Sequence, residues 1–259
     1  MEEPVIRVRD LRKRLDRTEV LRGVSFEVAP REIFVIMGPS GTGKSVLLKH
    51  LIGLLRPDAG EIAIWDLPVH ALDETRLDEL RRRIGVVFQS AALFDSLTVR
   101  ENVAFPLRRH RRLDEAAIRQ EVALRLSLVD LEGKEDVMPA VLSGGMRKRV
   151  GIARALALNP QIIFYDEPTS GLDPPTARAV DGLIRRLRDY LNVTSVVVTH
   201  DLDTAFGIGD RIAVMGEGTL LAVGSPAEIL ADARPQIRRF VHPRLPAQSA
   251  PSTREETRR

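Results

Sequence analysis

Eight consecutive residues, Gly38-Pro39-Ser40-Gly41-Thr42-Gly43-Lys44-Ser45, fit the phosphate-loop pattern G-x-x-x-x-G-K-[ST] at every fixed position. The glycines let backbone N–H groups turn inward around phosphate oxygens. Lys44 offers a point charge for the β and γ oxygens, and Ser45 offers a hydroxyl for Mg²⁺. Far downstream, Asp166 and Glu167 close the apolar run Ile162-Ile163-Phe164-Tyr165. Two adjacent carboxylates at a strand end can divide labour, Asp166 holding the metal and Glu167 polarising an attacking water. The chemistry these residues could perform is binding and hydrolysis of a nucleoside triphosphate.

Such a loop works only between a strand and a helix N-terminus, whose dipole then faces the phosphates. The flanks satisfy this. Glu32-Ile33-Phe34-Val35-Ile36-Met37 reads as a buried strand, and Leu47, Leu48, Leu51, Ile52 and Leu55 recur at helical spacing. Val5-Ile6-Arg7-Val8 and Val24-Ser25-Phe26-Glu27-Val28 alternate as an antiparallel flap, and 61–65 and 84–88 read as further strands. Between about 90 and 150 the strand signal gives way to helical patterns such as Ile118, Val122 and Leu126, predicting a helical insertion. Strands return at 161–166 and 193–200 around a helix over about 175–191. The fold class expected is α/β with a mostly parallel core sheet.

Composition narrows the setting. At 44% apolar and 29% charged residues the chain is of ordinary globular type. Without cysteine it has neither disulfides nor Cys-type metal sites, and a reducing compartment is compatible. No apolar run reaches the ~18–20 residues of a membrane span, and Met1-Glu2-Glu3-Pro4 is unlike a secretory signal, so the expected setting is cytoplasmic. Thirty-nine basic residues against 36 acidic give a net charge of only +3, too balanced to argue for nucleic acid. The clusters at 81–83 and 108–112 read as solvated helix faces or a polyanion site, and no aromatics interleave them to stack bases.

Leu142-Ser143-Gly144-Gly145-Met146 precedes a helical segment to about Leu158, with Ser143 as its natural N-cap. Alone it would be an ordinary cap with a glycine pair. Its position, 23 residues before Asp166, gives it meaning. Over roughly residues 5–235 the chain resembles the ATP-binding cassette (ABC) transporter ATPases. The family's set occurs in order: the phosphate loop at 38–45, the Q-loop glutamine Gln89, the LSGG signature at 142–145, and the carboxylate strand at 162–166. The catalytic Glu167, the D-loop Ser170-Gly171-Leu172-Asp173 and the switch histidine His200 complete it. The resemblance implies a P-loop ABC-type domain over 5–240. An N-terminal antiparallel β subdomain and the helical insertion flank its core sheet, and a tail at 241–259, polar and proline-containing, is expected to be disordered.

The resemblance also implies roles. Gln89 would reach Mg²⁺ and the attacking water, and it begins a loop that senses the membrane subunit. His200 would hydrogen-bond the γ-phosphate. Ser143, Gly144 and Gly145 would contact ATP bound to the other subunit, so one phosphate loop and one signature per chain imply a head-to-tail homodimer with two composite sites, with Asp173 at its seam. The expected partners are separate transmembrane permease subunits, with the chain peripheral on the cytoplasmic face of the inner membrane. Local strings, Ser45-Val46-Leu47-Leu48-Lys49-His50, 88–99 and Gly145-Met146-Arg147-Lys148-Arg149-Val150, resemble the Mla/Mce-type subgroup, which implies lipid transport and a lipid-binding partner subunit. The alternatives are the ATPase of another ABC system, such as an amino-acid importer or a cell-division complex, and a soluble ABC ATPase acting on nucleic acid or ribosomes, which usually needs two cassettes or a long coiled-coil insertion that 259 residues do not hold. Arg147-Lys148-Arg149 serves as a subgroup marker or equally reads as a solvated helix face. One position departs from the family: where an aromatic usually stacks on adenine, Leu15 stands, so packing would be apolar or come from Arg12, Arg14 or Arg17.

Overall fold

The computed structural model describes residues 2–241. Strands β1 (Ile6–Leu15), β2 (Thr18–Val28) and β3 (Ile33–Met37) lead into helix α1 (Lys44–Leu51). Strands β4 (Ala59–Ile64) and β5 (Leu67–Pro68), helix α2 (Glu74–Arg82) and strand β6 (Ile84–Val87) follow. Helices α3 (Val99–His110), α4 (Glu115–Leu128) and α5 (Gly144–Ala155) form the insertion. The chain returns through β7 (Ile162–Asp166), α6 (Pro174–Leu191), β8 (Thr194–Thr199) and α7 (Leu202–Ile208). It ends with the hairpin β9 (Arg211–Gly216) and β10 (Thr219–Gly224), then α8 (Pro226–Ala231) and α9 (Pro235–Val241).

Six strands make the central sheet in the order β10-β9-β3-β8-β7-β6, parallel except for β10 at one edge. The second sheet, β2-β1-β4-β5, is antiparallel throughout. Side chains of period two on β3 explain how the layers join. Ile33, Val35 and Met37 enter a core shared with α3–α7, while Phe34 and Ile36 enter another shared with α1 and the antiparallel sheet. Strands β7 and β8 split their residues between the same two cores. A sheet buried on both faces has near-continuous apolar strands, and every residue of β3 and β8 is buried.

Three expectations change in extent. The first two strands run well beyond 5–8 and 24–28, because β1 carries irregularities near Leu11 and Lys13 that break its alternation. Helix α1 stops at Leu51, ahead of Gly53 at φ 69°, so Leu55 is not part of it. The hairpin β9–β10 and helices α2, α8 and α9 add elements that the sequence reading did not place. Val241 closes α9 and is buried, so this residue belongs to the folded part and not to the tail expected from 241. The remainder of the expected disordered tail lies outside the described residues.

Candidate active site

Strands β3, β8 and β7 are parallel neighbours, so their carboxyl ends lie side by side. Met37 is in register with Thr199, and Asp166 with Val198. Ligands of open α/β sheets bind at that edge. Here the phosphate loop leaves β3, Asp166 and Glu167 leave β7, and His200 leaves β8.

The loop turns through Gly41 and Gly43 at φ 82° and 101°, conformations that favour glycine. Gly43 is the N-cap of α1, and no side chain caps it, which leaves the first N–H groups free for an anion. Thr42 Oγ1 donates to the Pro39 carbonyl at 2.9 Å. Lys44 Nζ donates to the Gly38 and Pro39 carbonyls at 2.7 and 2.9 Å. Burial lowers the Lys44 pKa, and the charges of Glu167 and Asp166 oppose that shift.

Ser45 Oγ donates to Asp166 Oδ1 at 3.3 Å, joining the loop to the end of β7. Burial pushes the Asp166 carboxyl up, against the Ser45 hydrogen bond and the Lys44 charge. A hydroxyl and a partly buried carboxylate converging in this way fit a hard cation, and Mg²⁺ uses one or two such protein oxygens together with phosphate oxygens and water.

Glu167 adopts left-handed backbone at φ 49°, which costs on the order of 1–3 kcal/mol for a residue other than glycine. Its side chain is held from three directions. His200 Nδ1 lies 2.9 Å from Oε1, while Thr199 Oγ1 and the His200 N–H donate to Oε2 at 3.3 and 3.4 Å. Its own N–H donates to the Val198 carbonyl at 2.8 Å. The carboxylate and the imidazole, on neighbouring strands, form one unit.

Gln89 Nε2 donates to Ser170 Oγ at 3.3 Å, so the glutamine faces the loop that follows the carboxylates. Asp173 is the N-cap of α6: it accepts from Thr176 N–H at 3.0 Å and Thr176 Oγ1 at 2.6 Å, which hold its carboxyl below the usual range. Ser143 caps α5 as expected, accepting from the Met146 N–H at 3.2 Å. The signature glycines sit against the start of α6 rather than against the phosphate loop's hydrogen-bonding groups. A Cβ on Gly144 would meet Leu172 Cδ2 at 3.2 Å, and one on Gly145 would meet Thr176 Cγ2 at 2.4 Å. Leu15 ends β1 half-exposed beside the turn to Thr18. Among its basic neighbours, Arg12 is engaged by Asp10 and Glu19.

The solvated-face reading of 147–149 fails at its centre. Lys148 is only 5% exposed, and its Nζ donates to the Gln89 and Glu167 carbonyls. One further contributor, Thr199, carries no distinctive signal beyond adjacency to His200, whereas Ser170, expected only as part of the D-loop, is here the partner of Gln89. Behind the site, Thr169 Oγ1 pairs with Thr204 Oγ1 at 3.0 Å, and Thr204 Oγ1 donates to Asp181 Oδ2 at 3.1 Å.

Burial pushes the Asp181 carboxyl up to about 6, with Asp201 and Asp203 adding to the shift and Thr204 and Arg185 opposing it. Its folded pKa therefore lies above the ordinary value of 3.8, so ionisation costs stability as pH rises through about 6. Asp181→Asn, isosteric and uncharged, is expected to stabilise the fold by up to about 2 kcal/mol at pH 8. The gain should vanish below pH ~4, where the carboxyl is protonated in both states. Thermal melts of both proteins at pH 4.5, 6 and 8 check this; an equal shift at every pH would count against it.

The ABC transporter family model matches residues 21–170. A probable ribonucleotide transport ATP-binding protein of Mycobacterium leprae is 41% identical over 239 residues, covering 92% of this chain and 69% of that protein. The intermembrane phospholipid transport system ATP-binding protein of Haemophilus influenzae is 41% identical over 231 residues, covering 89% and 87%. A methionine import ATP-binding protein of Mesorhizobium japonicum is 39% identical over 252 residues, covering 96% and 69%. Among solved structures, a dimeric post-hydrolysis ATP-binding cassette bound to ADP and Pi superposes with a TM-score of 0.78 at 34% identity, covering 85% of this chain and 98% of that one. With the phosphate loop, the carboxylate pair and the histidine gathered at one sheet edge, the chain belongs to the ABC transporter family, as one of its ATPase cassettes.

Proposed function

We propose that this chain is the ATP-hydrolysing subunit of a membrane transporter for phospholipid-like cargo, peripheral on the cytoplasmic face of the inner membrane. The observation that carries the enzymatic part is the orientation of Glu167 by Thr199 and His200 beside the Ser45–Asp166 pair. In this reading the phosphate-loop N–H groups and Lys44 bind the triphosphate and offset charge that develops on the γ-phosphoryl group. Glu167 holds and polarises the attacking water, and the imidazole of His200 keeps the carboxylate aimed. Ser45, Asp166 and Gln89 would hold Mg²⁺, which would supply charge neutralisation between the phosphates. Ser143, Gly144, Gly145 and Asp173 act across the seam of a head-to-tail homodimer, a reading supported by the dimeric cassette to which the chain is similar. ATP closes the seam, and hydrolysis removes the phosphate that bridges it.

No described helix is long and apolar enough to cross a membrane, and the transport-system names of the relatives support permease partners on separate chains. A groove of about 410 Å³ beside the Gln89 loop, lined by Phe88, Phe94, Phe105, Arg109 and Arg154, supports docking there. Its exposed Phe94 and Phe105 rings lie 4.9 Å apart. The lipid reading and a lipid-binding partner subunit draw support from the phospholipid-system relative, matched over 87% of its length. The methionine-import relative, matched over 96% of this chain, favours an amino-acid importer as the second reading. Co-purification from native membrane with mass spectrometry of bound subunits and lipids separates them. Phospholipid together with a multi-span permease is the expected result, whereas methionine-stimulated hydrolysis by the recovered complex would replace the lipid reading.

With Leu15 where an aromatic would stack, adenine would pack against apolar surface or against Arg14 or Arg17, Arg12 being engaged by Asp10 and Glu19, and discrimination between ATP and GTP is expected to be weak. Rates of hydrolysis of the two nucleotides should fall within about tenfold of each other, because packing against the face of a base tolerates either purine. A strong ATP preference would contradict this.

A further inference from the structure

Helix α5 turns three residues, spaced i, i+3 and i+6, toward the Gln89 loop. Lys148 Nζ donates to the Gln89 carbonyl at 2.5 Å and to the Glu167 carbonyl at 3.0 Å. Gly151 lets the helix approach so closely that an added Cβ would stand 3.2 Å from Ala91 Cβ. Arg154 donates to the Ala91 and Ala92 carbonyls at 2.8 and 2.7 Å. The loop held in this way is strained. Ala91 and Ala92 both adopt left-handed backbone, φ 61° and 47°, which persists only where the surroundings impose it.

Lys148 is the member of this face that reaches furthest. Its ammonium is buried, and a buried charge is costly unless hydrogen bonds and opposite charges compensate it. Two carbonyls and the nearby charges of Glu167 and Asp166 provide that compensation. An apolar side chain of the same length would fill the space without desolvation cost, but it could not join the three segments. Those segments are the signature helix, the Gln89 loop and the strained main chain of Glu167.

The geometry points to Lys148 as a positioning residue for hydrolysis, tying the main chains of Gln89 and Glu167 to the signature helix so that the three keep one mutual geometry. It acts through the backbone of Glu167 and touches no substrate. The inference rests on the reading of Glu167 as the group that polarises water.

Lys148→Met removes the donors at nearly constant volume. Measured on the full chain, its kcat for ATP is expected to fall about 10- to 100-fold, the loss typical of charge-assisted hydrogen bonds, with KM within about threefold of wild type. Lys148→Arg, which keeps charge and donors, should recover most of the rate. Amide hydrogen exchange over residues 88–92 should quicken in Lys148→Met while β7 and β8 keep their protection. Wild-type kcat in Lys148→Met would overturn the proposal, as would a rate loss accompanied by equal loss of protection throughout β7 and β8. If Lys148→Met does not fold, Lys148→Gln decides: a folded variant with kcat lowered at least about fivefold at unchanged KM supports the proposal, and wild-type kcat overturns it. Persistent turnover in Glu167→Gln would instead remove the underlying reading of Glu167, so the two failures are distinguishable.

Discussion

Glu167→Gln is expected to lower ATP turnover by about 10²–10⁴-fold while leaving ATP bound. The size follows from what the carboxylate alone can do. An amide has the same shape but cannot take a proton from water at neutral pH, so general-base assistance is lost and the phosphate loop's binding groups are untouched. The geometry predicts that the variant stays folded. Glutamine oxygen can accept from the His200 N–H where Oε2 does now, and its NH₂ can donate to His200 Nδ1 where Oε1 lies at 2.9 Å. The only adjustment is the imidazole tautomer, with Nδ1 becoming an acceptor. ATP should therefore accumulate on the protein, and if it bridges two copies, the variant should elute as a dimer in ATP and as a smaller species without it. Single-turnover hydrolysis and size-exclusion chromatography read both outcomes. Near-normal hydrolysis would reject Glu167 as the base and shift attention to His200, the other group in the same hydrogen-bonded unit.

The residues that carry this prediction were legible because each sits where a strand ends in a loop. Apolar runs that stop at Gly38, at Asp166-Glu167 and at Thr199-His200 specify both the element and the edge that it serves. The parallel register then brings those ends together without further information. What stayed hidden depends on tertiary contact. β1 is rich in Arg and Lys and carries bulges, so its alternation fades and its length cannot be read. The β9–β10 hairpin turns at Glu217-Gly218, both at positive φ, a turn that resembles any other short glycine loop in sequence. Lys148 lies between two more accessible arginines, and its burial is decided by the Gln89 loop, 59 residues away in sequence. In sequence the signature glycines point only to a ligand, whereas the structure gives Gly145 a reason inside its own chain, since Thr176 leaves no room for a Cβ.

Gly38→Ala is expected to be the most damaging single-methyl change in the phosphate loop. Its φ is not in the left-handed region, so backbone freedom is not the reason. The obstacle is contact: an added Cβ would stand 2.3 Å from the Met215 carbonyl oxygen and 3.3 Å from Thr42 Oγ1. The first neighbour is backbone of β9, which pairs with β3 over Arg211–Val214 and with β10 at Met215 itself, so it cannot retreat cheaply. The loop must therefore move instead. That movement displaces the Gly38 carbonyl, one of the two that hold Lys44 Nζ, and with it the lysine proposed to meet the phosphates. Overpacking of this kind costs about 1–3 kcal/mol of stability. If a similar strain is expressed in the bound loop, ATP affinity falls by roughly 10- to 100-fold. Gly41→Ala separates the steric effect from simple loss of glycine, because nothing lies within 4 Å of its added Cβ although its φ is 82°. Nucleotide titration of the two variants should show the larger affinity loss at position 38. Equal losses would mean that loop flexibility, and not the wall formed by β9, governs phosphate binding.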